Sequence, residues 1–391
     1  MFSAFDSVTR RRLAAAISCI SVVGIGLSLV IPLLALRLEA AGFPAYANGL
    51  HLAMTGVATL IGAPLTPWLA QFLGIRLLLF AAIALGVAAL LGFAYSEDYR
   101  LWLALRAAFG LSLTIIFVVS EYWISAAAPA DRRGMVLGVY ATVLALGFAI
   151  GPTLLGLIGA RGHLPFFVAA GLVGAGAVPV ALAGADGAVK IEGAARPNFR
   201  NIFAAAPIAL AAGLLYGAVE TGLNGLLPIF GLREGFPPAW ATFQLTLVAF
   251  GNVIFPIPIG LVADQVNKTG LLAFFALFGL CGALVLPAFA ADWPTYAAAL
   301  FVWGGVIGGL YTVGLARLAE KFQGPRLAAA NAAYIMMYSL GMMGGPPALG
   351  AGLELSSPRG LFDALAVLFL AYLALIVAMA GPLRQRRRSA A

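Results

Sequence analysis

Charge is what this sequence has least of. Of its 391 residues only 10% are Asp, Glu, Lys or Arg, against about 25% in soluble domains, and no water-soluble surface can be built from so few. Cysteine is scarce as well: Cys19 and Cys281 both lie inside apolar runs, which excludes a disulfide framework and a CxxC-type metal site. The two histidines, His51 and His163, are both expected near one face, so they form neither a metal cluster nor a catalytic base pair. The sequence carries no Walker loop, HExxH or nucleophile elbow. These absences describe a protein without cofactor or metal that is not an enzyme.

Apolar residues make up 62% of the chain, and mean hydropathy is +1.01. A bilayer-spanning helix needs about 20 mostly apolar residues. Twelve such spans are expected, at 13–36, 46–69, 76–95, 101–127, 134–159, 165–184, 204–231, 240–263, 270–290, 294–318, 327–352 and 361–382. The first follows Arg10-Arg11-Arg12 and is too long for a signal-peptide core. The fold class expected is therefore an all-α integral membrane protein. The formal net charge of +8 does not point to nucleic acid, because the basic residues stand singly or in short clusters between apolar runs.

Those basic residues set an expected orientation, since cytoplasmic loops carry the excess of Lys and Arg. With the N-terminus inside, 17 fall on the cytoplasmic side, 5 outside, and Arg106 lies within a span. Both termini are thus expected in the cytoplasm of a bacterial inner membrane, with Trp102, Trp240 and Trp293 in an outer aromatic belt. His51 is expected to be solvated near the outer interface. The longest polar interval, 185–203, divides the chain into an N-terminal six-helix bundle (1–184) and a C-terminal one (204–391).

The halves are related. A shift of 194 residues superposes Arg132 on Arg326, Tyr140 on Tyr334, Gly147 on Gly341, Gly151 on Gly345, Pro152 on Pro346 and Gly156 on Gly350. A shift of 193 superposes Gly42-Phe43-Pro44 on Gly235-Phe236-Pro237. The fifth span contains GFAIGPTLLG (147–156) and the eleventh GMMGGPPALG (341–350). Glycines four apart allow close helix approach, and proline permits bending. Such segments serve either packing alone or rocking of one half on the other.

In the fifth span, G-x-x-x-G-P resembles the antiporter motif of the major facilitator superfamily, and Arg106-x-x-x-Gly110 resembles its R-x-x-x-G motif. Gly260-Leu261-Val262-Ala263-Asp264-Gln265 resembles the superfamily's cytoplasmic G-x-L-a-D-R motif. The equivalent stretch Pro67–Gly74 in the first half lacks the starting glycine and the aspartate. The run from Arg106 through VVSEYW to Gly134, and GGLYTVGLARLAEKF (308–322) to Asn331, are similar to the YcaD-like subfamily of transporters. The resemblance implies two pseudo-symmetric six-helix bundles, a transport activity, and a central cavity lined by the seventh span.

Arg106, Glu121 and Glu220 are the ionisable residues within spans, at roughly 2.5 to 3.5 kcal/mol each near a helix centre. Glu220 forms an i, i+4, i+8 row with Tyr216 and Asn224. A carboxylate in a low-dielectric cavity can exchange protons near neutral pH; the alternative is a Glu that only ties helices together. Arg106 can attract an anionic substrate, pair with a carboxylate or serve as scaffold. Gln244, Asn252, Asn331 and Tyr334 complete the expected substrate and proton set. Gating is expected of Glu121 (against Arg132, Arg133 or the start of the eleventh span), of Asp264 near a helix N-terminus, and of Gly147, Gly151, Pro152, Gly341, Gly345 and Pro346. The expected partners are a small organic solute, protons and the lipid bilayer, and the chain is expected to act as a monomer. Export by proton antiport is the mode expected, with a transport-inactive sensor and a proton-independent facilitator as alternatives.

Overall fold

A computed structural model describes residues 7–127, 133–182, 199–323 and 325–388. The first half contains α1 (Ser7–Ala40), α2 (Ala45–Leu73), α3 (Ile75–Tyr95), α4 (Tyr99–Ala127), α5 (Arg133–Ile158), α6 (Leu164–Ala175) and α7 (Ala177–Leu182). After the short α8 (Phe199–Ala205) come α9 (Pro207–Arg233), α10 (Pro238–Ile254), α11 (Pro256–Ala263), α12 (Lys268–Val285), α13 (Trp293–Ile307), α14 (Gly309–Ala319), α15 (Pro325–Leu355) and α16 (Gly360–Arg388). Helix is the form in which every backbone N–H and C=O of a membrane segment is satisfied internally. Among the described residues ten stretches are long and apolar enough to cross a membrane, and large apolar side chains such as Phe72, Leu157 and Ile257 face outward.

Several expected spans are broken. The sixth turns at Gly176, the eighth before Pro256 and the tenth at Gly308. A proline ring removes an N–H donor, and at Gly308 the Asn252 side chain lies where a Cβ would sit. The seventh span starts later than expected: Ala206 leaves helical geometry (φ −135°, ψ 47°) and Pro207 opens α9, leaving α8 separate. Residues 185–198 of the expected linker lie outside the described residues. Trp102 is buried rather than lipid-facing, edge-on to Phe93 at 5.5 Å, with its indole N–H donating to the Ser96 carbonyl at 2.6 Å.

Two large apolar cores form, beside a smaller cluster around Ile202, Leu210, Leu318 and Tyr334. One runs from Leu13 to Val180; the other runs from Ile208 to Ile376 and takes in Ile31, Ala35, Ala45 and Leu52 from the first half. Within each half one glycine-bearing helix lies against another. On α5, a Cβ at Gly147 would stand 2.9 Å from the Gly24 Cα of α1, and one at Gly151 would stand 2.6 Å from the Leu29 nitrogen. On α15, Gly341 abuts the Leu214 carbonyl and the Ala218 nitrogen of α9, and Gly345 abuts Ala218. The halves meet where α1 packs on α9, α5 on α10 and α15 on α2. The Gly49 and Gly350 positions at the last contact leave no room for a side chain against Pro346 and Ala45.

The Gly-Phe-Pro repeat is one loop used twice. Gly42 (φ 79°) and Gly235 (φ 89°) are left-handed, the conformation that ends a helix in a Schellman motif. The amide of Phe43 bonds to the Leu38 carbonyl at 3.0 Å, and that of Phe236 to the Gly231 carbonyl at 2.8 Å. Pro44 and Pro237 then precede α2 and α10 in extended geometry.

Gly341→Ala should lower the thermal unfolding midpoint in detergent, at a cost of about 1 to 3 kcal/mol from overpacking. Gly344, three residues away, has nothing within 4 Å of a built Cβ. Gly344→Ala should therefore leave the midpoint unchanged or raise it, since both variants gain the same helix propensity. Equal midpoints for the two variants would refute close α15–α9 packing.

Candidate functional site

A cavity of about 210 Å³ lies between the halves, bordered by Leu144, Ala145 and Phe148 of α5 and by residues of α9, α10 and α13. Among the described residues its polar lining is Tyr216, Glu220, Asn224 and Asn252, with no basic residue. The i, i+4, i+8 row on α9 thus faces the cavity. The Tyr338 hydroxyl of α15 donates to Glu220 Oε2, and the Tyr216 hydroxyl is close by. Tyr311 of α14 sits 5.7 Å from Tyr216 and 5.8 Å from Tyr338, ring centre to ring centre. A carboxyl group touched by phenols and open to a cavity can gain or release a proton without crossing the packed core.

Other expected site residues lie elsewhere. Gln244 is fully buried within the second half: its amide nitrogen donates to the Ala241 carbonyl at 3.1 Å, and its oxygen accepts from Tyr296 at 2.6 Å. Tyr334 is sealed under α14, donating to the Tyr311 carbonyl at 3.1 Å. Asn331 is half-buried near the start of α15 and does not border the cavity. Arg106 is completely buried between α4 and α2, away from the cavity lining. His51, expected in solvent, is 1% exposed because α4 and Trp102 close over it. Tyr338 and Tyr311 were missed. Tyr338 lies one helical turn beyond Tyr334, the signal that could have found it.

One end of the molecule holds a network with no counterpart in the expected set. Arg233, last in α9, makes a bidentate pair with Glu39 of α1, with Nε to Oε1 at 2.7 Å and Nη2 to Oε2 at 3.1 Å. Its Nη2 also reaches Glu354 of α15 at 2.8 Å, and the same Glu354 oxygen accepts from the Ala45 amide of α2 at 2.7 Å. Below it, Thr153 of α5 and Thr246 of α10 bond at 3.0 Å. Thr246 also donates to the Ala149 carbonyl of α5 at 3.4 Å, so hydrogen bonds join the halves along this end.

The model of the Major Facilitator Superfamily matches residues 16–245 and 211–391. The chain belongs to the major facilitator superfamily. YfkF of Bacillus subtilis (strain 168) is 25% identical over 348 residues, 88% of this chain and 89% of that protein. YcaD of Salmonella arizonae is 24% identical over 355 residues, 89% and 91% of the two chains. Both are named uncharacterized MFS-type transporters. Two crystal structures of the nucleoside transporter NupG share the fold. One superposes with a TM-score of 0.82 at 13% identity, covering 94% of this chain and 99% of that one; the other gives 0.76 at 14%, covering 96% and 98%. This chain is accordingly a multi-pass facilitator-type transporter.

The motif residues of this transporter fall at helix contacts. Gly147, Gly151, Gly341 and Gly345 face neighbouring helices of their own half. Pro346 faces α2 across the halves, and Pro152 borders a recess shared with Ala239 and Phe243 of α10. Asp264 departs from expectation: it stands at the C-terminal end of α11, and Asn267 takes the N-cap of α12 by accepting from the Thr269 and Gly270 amides at 2.8 and 3.1 Å. Glu121 is exposed in the last two turns of α4, within electrostatic reach of Tyr140 and of Tyr311 across the halves. Arg132 lies outside the described residues, as does the Arg133 side chain.

Arg233→Gln should loosen the closed end. An exposed pair is worth about 0.2 to 1 kcal/mol, so the closed population should fall up to roughly fivefold. With Cys281 replaced by serine and Asn224→Cys as reporter, labelling by an impermeant maleimide from the Arg233 side should quicken by a similar factor. Unchanged labelling would show that the network does not hold this end shut.

Proposed function

We propose that this chain is a proton-coupled secondary transporter of a small organic solute, working by alternating access in the bacterial inner membrane. The observation that carries the reading is Glu220: an acidic group bordering a cavity between two bundles, touched by Tyr338 and flanked by Tyr216. Bundles 1–184 and 204–391 are the moving bodies, twelve spans cross the membrane, and both termini are cytoplasmic. In that orientation the Arg233 network closes the outer end, and the solute enters the cavity from the cytoplasm as the proton leaves to it. Glu121, Asp264, Arg132 and Arg133 belong to the gate at the inner end, and the glycine and proline residues of α5 and α15 are the surfaces on which the bundles rock.

The lining narrows the solute. A cavity with apolar walls, a phenol, two carboxamides and one acidic group, and with no basic residue, suits neutral or cationic amphipathic molecules and disfavours anions. Export by proton antiport follows from this arrangement: protonation of Glu220 on the outer side displaces the solute, and deprotonation on the inner side readmits it. The chain acts as a monomer, since each half supplies the wall that the other lacks.

Purified protein in liposomes is screened with organic cations, neutral amphiphiles and nucleosides. Glu220→Gln is expected to leave the protein folded, retain solute exchange, and lose accumulation driven by an imposed pH gradient. If Glu220→Gln vesicles concentrate the solute as the parent does, coupling does not pass through this residue and Glu121 becomes the candidate.

A further inference from the structure

Helices α2 and α4 lie side by side and run in the same direction, in a register that three pairs define. Thr59 and Thr114 share a hydrogen bond at 3.1 Å. A Cβ at Gly110 would stand 3.3 Å from the Thr55 Cα. One turn further along, Arg106 and His51 face each other within electrostatic reach. The three separations, 114 − 59, 110 − 55 and 106 − 51, are the same 55 residues. Gly110 lets the helices approach, and that approach seals what lies a turn away.

What it seals is polar and without protein partners. Arg106 is 0% exposed, and none of its three guanidinium nitrogens has a hydrogen-bond partner among the described residues. The Thr55 hydroxyl and the Asn48 side-chain oxygen are likewise buried and unpartnered, and the buried His51 ring lies beside the Trp102 backbone without a well-formed hydrogen bond at either nitrogen. Asn48 uses its nitrogen on the Ala35 carbonyl at 3.0 Å. The walls are apolar, with Phe93 and Trp102 at 6.1 and 6.2 Å from the imidazole. Removing an uncompensated ion from water costs several kcal/mol, and arginine stays charged throughout the physiological range. No carboxylate pairs with Arg106 among the described residues, so the compensating charge is not supplied by this part of the chain.

The donor count decides what fits. A guanidinium offers five N–H donors, a neutral imidazole one and a threonine hydroxyl one; these outnumber the acceptors beside them, which are the Asn48 oxygen, the second imidazole nitrogen and the threonine oxygen. One fixed positive charge amid donors calls for one negative charge. A dianion would leave a second charge uncompensated, and Arg106 does not border the cavity by which an organic solute would arrive. We propose that Arg106, with His51 and Thr55, holds a small monovalent inorganic anion of halide size between α2 and α4, as a structural counter-ion of the first half. This assignment is independent of the coupling role given to Glu220.

The test uses full-length protein purified in bromide instead of chloride from lysis onward. An anomalous-difference map from crystals of that protein should show bromide within hydrogen-bond range of Arg106. In solution, the thermal unfolding midpoint should rise with chloride or bromide and level off, while gluconate at equal ionic strength gives no rise. Arg106→Gln should lose both the peak and the halide dependence. Should that variant fail to fold, Thr55→Val is expected to weaken the halide dependence, with the parent crystals still decisive. A map with no bromide at Arg106, whether water or nothing fills the space, overturns the proposal, and so does a peak that persists in Arg106→Gln.

Discussion

Close helix approach at glycine is the constraint on which the other features rest. In a bilayer, apolar contact between helices gains nothing over contact with lipid, so association relies on van der Waals fit and on hydrogen bonds between helices. Here that fit is made by Gly147 and Gly151 on α1, by Gly341 and Gly345 on α9, and by Gly49 and Gly56 against α15. Each leaves so little space that a methyl group would meet backbone. The cavity lies where such contacts are missing, between α5 and the second half, and is walled instead by Phe148, Tyr216 and Ile307.

The same packing sorts the few polar side chains into three fates. Gln244 has partners for its nitrogen and its oxygen inside the second half and has become a tie between helices. Glu220 has phenols beside it and an open face on the cavity. Arg106 is walled in with partners for none of its nitrogens. Interhelical hydrogen bonds in membranes average about 0.6 kcal/mol, whereas an unpaired buried charge costs several. Of the three, Arg106 therefore makes the largest demand on its surroundings.

Pseudo-symmetry extends to contacts but stops at charge. The α5–α1 contact is repeated as α15–α9, and α5–α10 as α15–α2, each matching the 194-residue repeat. The Gly42 and Gly235 loops are copies of one another. Among the described residues the Glu39–Arg233–Glu354 network has no such copy; it joins the ends of α1, α9 and α15 at one end of the molecule.

Spans, repeat, family and the polar row on α9 were legible in the sequence because each depends on neighbours in the chain. Apolar length marks a membrane helix, and residues four apart share a face wherever the helix lies. The glycine-proline motifs announced tight packing, though not which helix they would meet. What only the tertiary structure decided was pairing across long separations. Arg233 finds Glu39 from 194 residues away, Tyr338 finds Glu220 from 118 away, and His51 meets Arg106 across a helix interface. Buried and exposed polar residues look alike in sequence. Gln244 and Asn252 share α10 two turns apart, yet the first is enclosed and the second borders the cavity. Residues eight apart share a helix face, so depth separates them: about 12 Å along α10, and where the cavity ends along that face is set by side chains on other helices.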